Sequence, residues 1–278
     1  MAQTHEMYLT RHQATSGPRW ALNGKYLPTH INLDLLLELP VEALQGLLKS
    51  VPNEGVAHDP LLPPLEPIHE VWAGGVTYLS SEQAREAESG EGDLYARVYV
   101  AERPELFLKA IGWRAVGHDH PVRIRKDSHW DVPEPELVLV INRHLEVVGY
   151  TAGNDVSSRE IEGENSLYLP QAKIYDGSCA LGPGILLVDL ASMRDLSIGM
   201  IIRRSGELAY KDEINVSQMK RGFEELVTYL GRELSFPQGA FLMTGTGLVP
   251  PEDFTLHPGD EVELTVGELT LKNEVVQH

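Results

Sequence analysis

The sequence predicts an α+β protein, mainly β, in which strands dominate with a few helices laid against them after a small N-terminal region. Three observations predict it. Glycine at 25 and proline at 18 among 278 residues supply many turns. From residue 136 onward, short apolar runs of strand length are punctuated by turn pairs. Helical periodicity, by contrast, is confined to a few stretches.

The elements read in order as follows. Residues 33–49 are leucine-rich and helical, with a break at Pro40, after which Val41 to Lys49 can resume as a short helix. Pro60, Pro63, Pro64 and Pro67 then force an extended connection, which sets the boundary of a small N-terminal region at 1–65 before the main domain at 66–278. Ser80 to Glu88 reads as a serine-capped polar helix, either a solvated surface helix or a mobile cover over residues 80–90. Leu137–Asn142 and Leu145–Tyr150 flank Arg143-His144 as a hairpin, and Met200–Arg203 and Glu207–Tyr210 flank Ser205-Gly206 as another. Met219, Phe223, Leu226, Leu230 and Leu234 recur at helical spacing, a packing stripe rather than a site. Val262, Leu264 and Val266 alternate with Glu261, Glu263 and Thr265 as a half-buried strand. No internal repeat is present.

Composition narrows the function. A formal charge of −18 repels a phosphate backbone and anionic lipid alike, so nucleic acid and membrane surfaces are expected to be poor partners. The N-terminal MAQTHEMYLTRHQ has no apolar signal core, and no apolar run reaches membrane-spanning length, so the expected location is cytoplasmic. Cys179 stands alone, which excludes a disulfide framework and a cysteine zinc site, and its small neighbours suit a core position. His118, His120 and His129 are unevenly spaced in a charged loop and read as solvated or structural.

The chemistry concentrates at VPEPE, residues 132–136. On a strand Glu134 and Glu136 point to one face. A two-residue turn at 143–144 would pair Glu136 with Thr151 and Glu134 with Gly153, leaving Asp155 at the same open end of the hairpin. Three crowded carboxylates repel one another unless a cation relieves them. An all-oxygen set favours Mg²⁺, Mn²⁺ or Ca²⁺ over zinc. The bland alternative for an E-x-E pair alone is a solvated strand end.

These residues carry a resemblance. PEPEL, GYTAGNDVSSRE, LPQAKIYD, ALGPGI and MTGTG, in that order over about residues 65–270, resemble the fumarylacetoacetate hydrolase family. The resemblance implies a mixed β-roll or β-sandwich with flanking helices, forming a dimeric or higher homo-oligomeric enzyme in which Glu134, Glu136 and Asp155 hold Mg²⁺ or Mn²⁺ and a 2-oxo acid chelates the metal. One departure is Glu160, where family members often carry Asp. The C–C hydrolases of the family commonly carry N-Y-x-x-H, whose histidine activates water. Here Ser81 stands three residues after Tyr78, and serine is no general base without a partner. EVWAGGVTY, RPELFLKA and SREIEGENSLYLPQAKIYDGSCALGP are instead similar to the family's 2-keto-3-deoxy sugar acid dehydratases. The implied reaction converts 2-dehydro-3-deoxy-D-arabinonate to 2,5-dioxopentanoate. A hydrolase or decarboxylase of acylpyruvates, fumarylpyruvate or oxaloacetate is the rival, and a non-catalytic metal or 2-oxo-acid binding protein is a second.

The expected acid–base groups are Lys173, Glu105, Lys109 and Glu82. Lys173 matches a family active-site lysine and is expected to carry a lowered pKa or to clamp substrate. Glu105 and Lys109, four apart, could equally form a local ion pair. Thr244 and Thr246 of the TGTG turn, with Thr77 and Tyr78, are the expected substrate-binding residues.

Overall fold

A computed structural model describes residues 7–88 and 94–277. Its main sheet has ten strands. They run in space as Lys25–Tyr26, Gly17–Leu22, Met7–Ala14, Cys179–Leu187, Val147–Asp155, Pro135–Ile141, Ala240–Met243, Glu70–Gly75 and Glu105–Ile111, with Leu61–Leu62 pairing to Met7–Ala14. Pairing is antiparallel except between Ala240–Met243 and Glu70–Gly75. A second sheet of five strands packs Glu207–Asn215, Ser197–Arg204, Glu261–Val266, Leu269–Val276 and Val122–Arg123.

The Pro135–Ile141 strand lies well inside the main sheet and is buried throughout. Leu137, Leu139 and Ile141 face the core shared with the second sheet, where Met200, Ile202, Val262, Leu264 and helix residues Phe223 and Leu226 meet them. Val138 and Val140 face the opposite core, closed by Leu36, Leu37, Leu44 and Leu48 of the N-terminal helices. A strand covered on both faces needs apolar residues at every position, which is why this segment shows no alternation. Glu134 and Glu136 have the parity of Val138 and Val140, so they sit where that second core ends.

The break at Pro40 is seen: helices span Leu33–Leu37 and Val41–Ser50, with Pro40 as the second helix's N-cap. Asn32 caps the first by accepting from the Leu35 N–H. The first 65 residues contribute strands to the main sheet, Met7–Ala14 pairing directly with Cys179–Leu187. The Ser205-Gly206 hairpin is present, both residues at positive φ. The helix expected over 217–234 is shorter, Phe223–Leu230, preceded by a 3₁₀ turn at Val216–Gln218. Gly222 starts it and Gly231 ends it, so Leu234 falls outside and is exposed.

The first hairpin corrects the expected register. Asn142 N–H donates to the Glu146 carbonyl, and the turn between them is wider than two residues. That turn shifts the pairing by one residue and a bulge between Val147 and Gly149 by another, so Glu136 faces Gly153, not Thr151, and the Asp155 N–H donates to the carbonyl of Glu134 at 2.9 Å. The shift is by two residues, so every side chain keeps its face.

Candidate functional site

Glu134, Glu136 and Asp155 are all buried, and one carboxylate oxygen from each lies within 4.8 Å of the others. Backbone geometry produces this convergence. Two come from one strand at alternate positions, and the third stands across the same ladder. A fourth group completes it: the Gly245 N–H donates to Glu136 Oε2 at 2.6 Å. Gly245 has φ +91, and a Cβ there would lie 2.1 Å from Thr77 Oγ1, so the position needs glycine to aim its N–H at the carboxylate. Burial pushes the Glu136 carboxyl well above the usual range, and the Asp155 and Glu134 charges add to it. Such a set of hard oxygen donors fits a divalent cation, which would remove that repulsion.

Among the described residues four basic side chains reach the cluster, Arg159 at longer range than the other three. Lys173 Nζ lies 3.1 Å from both Glu134 oxygens, 3.4 Å from Asp155 Oδ2 and 2.6 Å from Ser157 Oγ. Lys109 Nζ lies 2.5 Å from Asp155 Oδ1 and also donates to the carbonyls of Val156 and Lys173. Arg85 Nη2 lies 2.7 Å from Glu134 Oε1, while its Nε reaches Glu162 Oε1 at 3.2 Å. Burial by itself lowers the Lys173 pKa, but Asp155 and Glu134 outweigh it and hold the amine above the ordinary lysine range. The lowered pKa is expected of this lysine beside a bound cation, whereas here the carboxylates that surround it raise it.

A tight cleft opens over the carboxylates. Its walls include Ser81 and Arg85 from the Leu79–Glu88 helix, Glu105 and Phe107 from the edge strand, and Glu162, Leu169, Lys173 and Thr246. Glu105 packs over Gly75, where an added Cβ would lie 2.0 Å from its Oε2. Burial first, then the Glu162 charge, opposed by Lys173 and Arg85, brings the Glu105 carboxyl up to about 7. Val76, also in the cleft wall, has φ +53, a strained conformation for a β-branched residue.

Of the expected residues, the structure brings Glu134, Glu136, Asp155, Lys173, Glu105 and Thr246 to the cleft. It places Lys109 behind it, fully buried and without ion pairing to Glu105, as a brace on Asp155. Thr77, Tyr78 and Thr244 are not in the wall, contrary to expectation. Thr77 Oγ1 donates to the Thr244 carbonyl at 2.7 Å and Thr244 Oγ1 to the Leu137 carbonyl at 2.9 Å, so both hydroxyls serve backbone. Tyr78 instead borders a separate groove with Ile214 and Gln218. Glu82 is buried on the helix but does not line the cleft. The cover expected over 80–90 lies partly outside the described residues. Glu160 lies outside the cleft, accepting from the His129 N–H, and Cys179 is a core residue.

Sequence reasoning passed over Arg85 and Glu162, and gave Arg159 no role beyond its place in the matching motif. Arg159, capped in place after Ser158, lies 3.7 Å from Glu134 Oε1. The available signal was the charge pattern in SSEQARE and SREIEGE, but each reads locally as an ordinary polar helix.

A two-sheet β body that gathers buried carboxylates at the end of its central strands defines a class of proteins suited to binding a hard cation together with a small oxygen-rich acid. The chain belongs to the fumarylacetoacetate hydrolase family, whose description "Fumarylacetoacetate (FAA) hydrolase C-terminal" matches residues 71–276. It is 51% identical to a "Probable 2-keto-3-deoxyxylonate dehydratase" of Haloferax volcanii, over 74% of this chain and 72% of the relative. It is 41% identical to the 2-dehydro-3-deoxy-D-arabinonate dehydratase of Saccharolobus solfataricus, over 81% of this chain and 76% of that one. A solved 2-keto-3-deoxy-D-arabinonate dehydratase complexed with magnesium and 2,5-dioxopentanoate superposes with TM-score 0.83 at 34% identity, covering 98% of this chain and 99% of that one.

Proposed function

We propose that this protein is a Mg²⁺-dependent dehydratase of 2-keto-3-deoxy sugar acids, converting 2-dehydro-3-deoxy-D-arabinonate to 2,5-dioxopentanoate and water. The observation that carries the reading is the buried Glu134, Glu136 and Asp155 cluster beneath a cleft that also presents Glu105 and Lys173. The names of the relatives support it.

Glu134, Glu136 and Asp155 would hold the cation, with Lys109 and the Gly245 N–H orienting two of the three carboxylates. When bound, the metal supplies Lewis-acid polarisation of the substrate's 2-oxo group. Glu105, whose pKa of about 7 suits proton transfer near neutrality, takes the C3 proton. The electron pair passes toward the C2 oxygen, where the Lys173 ammonium faces the developing negative charge. Return of the pair expels the C4 hydroxyl, which takes up the proton that Glu105 removed from C3 and leaves as water. The resulting 5-hydroxy-2-oxo-3-enoate tautomerises to the dioxo acid. Thr246 lines the substrate's path. The same reading takes the protein to be a cytoplasmic homodimer or higher homo-oligomer, for which sedimentation analysis is the check.

The test is to supply 2-dehydro-3-deoxy-D-arabinonate with Mg²⁺ and follow the aldehyde product. Activity that EDTA removes and Mg²⁺ restores is expected. No aldehyde, with rapid pyruvate formation from oxaloacetate or an acylpyruvate, would overturn the assignment in favour of a decarboxylase or hydrolase.

A further inference from the structure

Glu162 is the one cleft carboxylate that the mechanism above leaves idle. It sits on the short Arg159–Glu164 helix, which Ser158 starts by accepting the Ile161 N–H at 3.2 Å. The residue is only 5% exposed. Its Oε1 is held by Arg85 Nε at 3.2 Å, and the same guanidinium holds Glu134 Oε1 through Nη2 at 2.7 Å. Glu162 is therefore fixed one guanidinium away from the metal-binding carboxylates. Its Oε2, in contrast, is buried and has no hydrogen-bond partner among the described residues. A buried acceptor left unpaired is costly, and an ionised carboxylate can only accept. A donor group brought by the ligand would satisfy it.

We propose that Glu162, pinned by Arg85, is a specificity-determining residue whose Oε2 accepts a hydrogen bond from the hydroxyl at C5 of the 2-oxo acid. The inference rests on the reading of the cleft as a 2-oxo acid site. A substrate anchored through C1 and C2 at the three carboxylates presents its far end to the cleft wall. Of the two hydroxyls of a 2-keto-3-deoxypentonate, the one at C4 departs and needs a proton, not an acceptor. The one at C5 is retained and is free to donate. An acid without that hydroxyl leaves Glu162 Oε2 unsatisfied, and one with a second carboxylate there is repelled. Sites that hydrogen-bond a substrate hydroxyl discriminate strongly against analogues lacking it. Glu162 thus selects hydroxylated 2-oxo acids over simple acylpyruvates and oxaloacetate.

The experiment compares two probes that cannot be dehydrated, 5-hydroxy-2-oxopentanoate and 2-oxopentanoate, by calorimetric titration of the Mg²⁺-loaded protein. The wild type should bind the hydroxylated probe about tenfold tighter or more. Glu162→Ala should bring that ratio below about threefold, and Glu162→Gln, which keeps the shape and a neutral acceptor, should fall between. A wild-type ratio near one, or a ratio unchanged in the variants, overturns the proposal. Equal weakening of both probes also overturns it, since that marks a residue serving only to position Arg85. If Glu162→Ala does not fold, the isosteric Glu162→Gln decides by the same ratio. The readout needs no turnover, so a failed dehydratase assay with a collapsed ratio rejects the reaction while retaining the hydroxyl site. A working assay with an unchanged ratio does the reverse.

Discussion

The N–H of Asp155 donates to the carbonyl of Glu134 at 2.9 Å, so two of the three clustered carboxylates stand on facing positions of one antiparallel ladder. Their separation is set by backbone hydrogen bonding rather than by side-chain rotamers. A site built this way is held in place before any ligand arrives.

Glu136→Gln keeps the shape and the hydrogen bond from Gly245 but removes a charged ligand. Activity at saturating substrate should fall at least about a hundredfold, since several kcal/mol of charge stabilisation depend on the metal. Calorimetry should show weakened Mg²⁺ binding in parallel. Full activity in the variant would remove Glu136 from the ligand set.

Stability should depend on pH differently with and without metal. The Glu136 carboxyl is raised well above its ordinary value of 4.5, chiefly by burial and then by Asp155 and Glu134. A raised acid contributes stability that is fully present below about 4.5 and is lost as pH rises through the folded value. In EDTA, thermal unfolding should therefore shift to lower temperature as pH increases above that point. Binding Mg²⁺ requires the ionised carboxylate, so the gap between Mg²⁺ and EDTA melting curves should widen with pH. A gap that is constant with pH would contradict this linkage.

Glu105, at about 7, should give kcat/KM a limb that rises with pH through neutrality, because the base must be ionised to accept the C3 proton. Glu105→Gln should remove that limb and lower kcat by roughly 10²- to 10⁴-fold. A variant retaining the wild-type profile would assign the proton to another group.

Gly75→Ala probes the same carboxylate without altering a charge. The new Cβ would fall 2.0 Å from Glu105 Oε2, the far end of a flexible side chain, so the carboxylate should swing away. Stability should change by no more than about 1 kcal/mol, as for most single substitutions that leave the core intact. Turnover should nonetheless drop about tenfold or more, while Mg²⁺ affinity stays the same. Equal loss of metal binding would mean that Glu105 and the metal cluster move together.

Lys109→Met isolates the brace behind Asp155. The pair is fully buried at 2.5 Å, and removing one partner of a buried ion pair typically costs about 3–5 kcal/mol. Denaturant unfolding of the metal-free protein should show a loss on that scale, and added Mg²⁺ should recover part of it by neutralising Asp155. A loss below about 1 kcal/mol would show that Lys173 alone suffices to neutralise Asp155.

By itself the sequence determined the β-rich body, the paired glutamates, the aspartate beyond the hairpin and the lysine that joins them. Period-two alternation puts Glu134 and Glu136 on one face whatever surrounds them, and one extra residue at the Asn142–Glu146 turn together with one at the bulge between Val147 and Gly149 left that parity intact. Tertiary structure decided the rest. It moved Thr77 and Thr244 out of the cleft by engaging their hydroxyls with backbone carbonyls from distant strands. It set Lys109 behind Asp155 instead of beside Glu105. It brought Arg85 and Glu162, 77 positions apart in the chain, to within 3.2 Å above the carboxylates. Local spacing can specify which face a side chain takes on its own strand. Which ion pairs form between separate elements depends on how those elements pack, and no pattern within either segment carries that information.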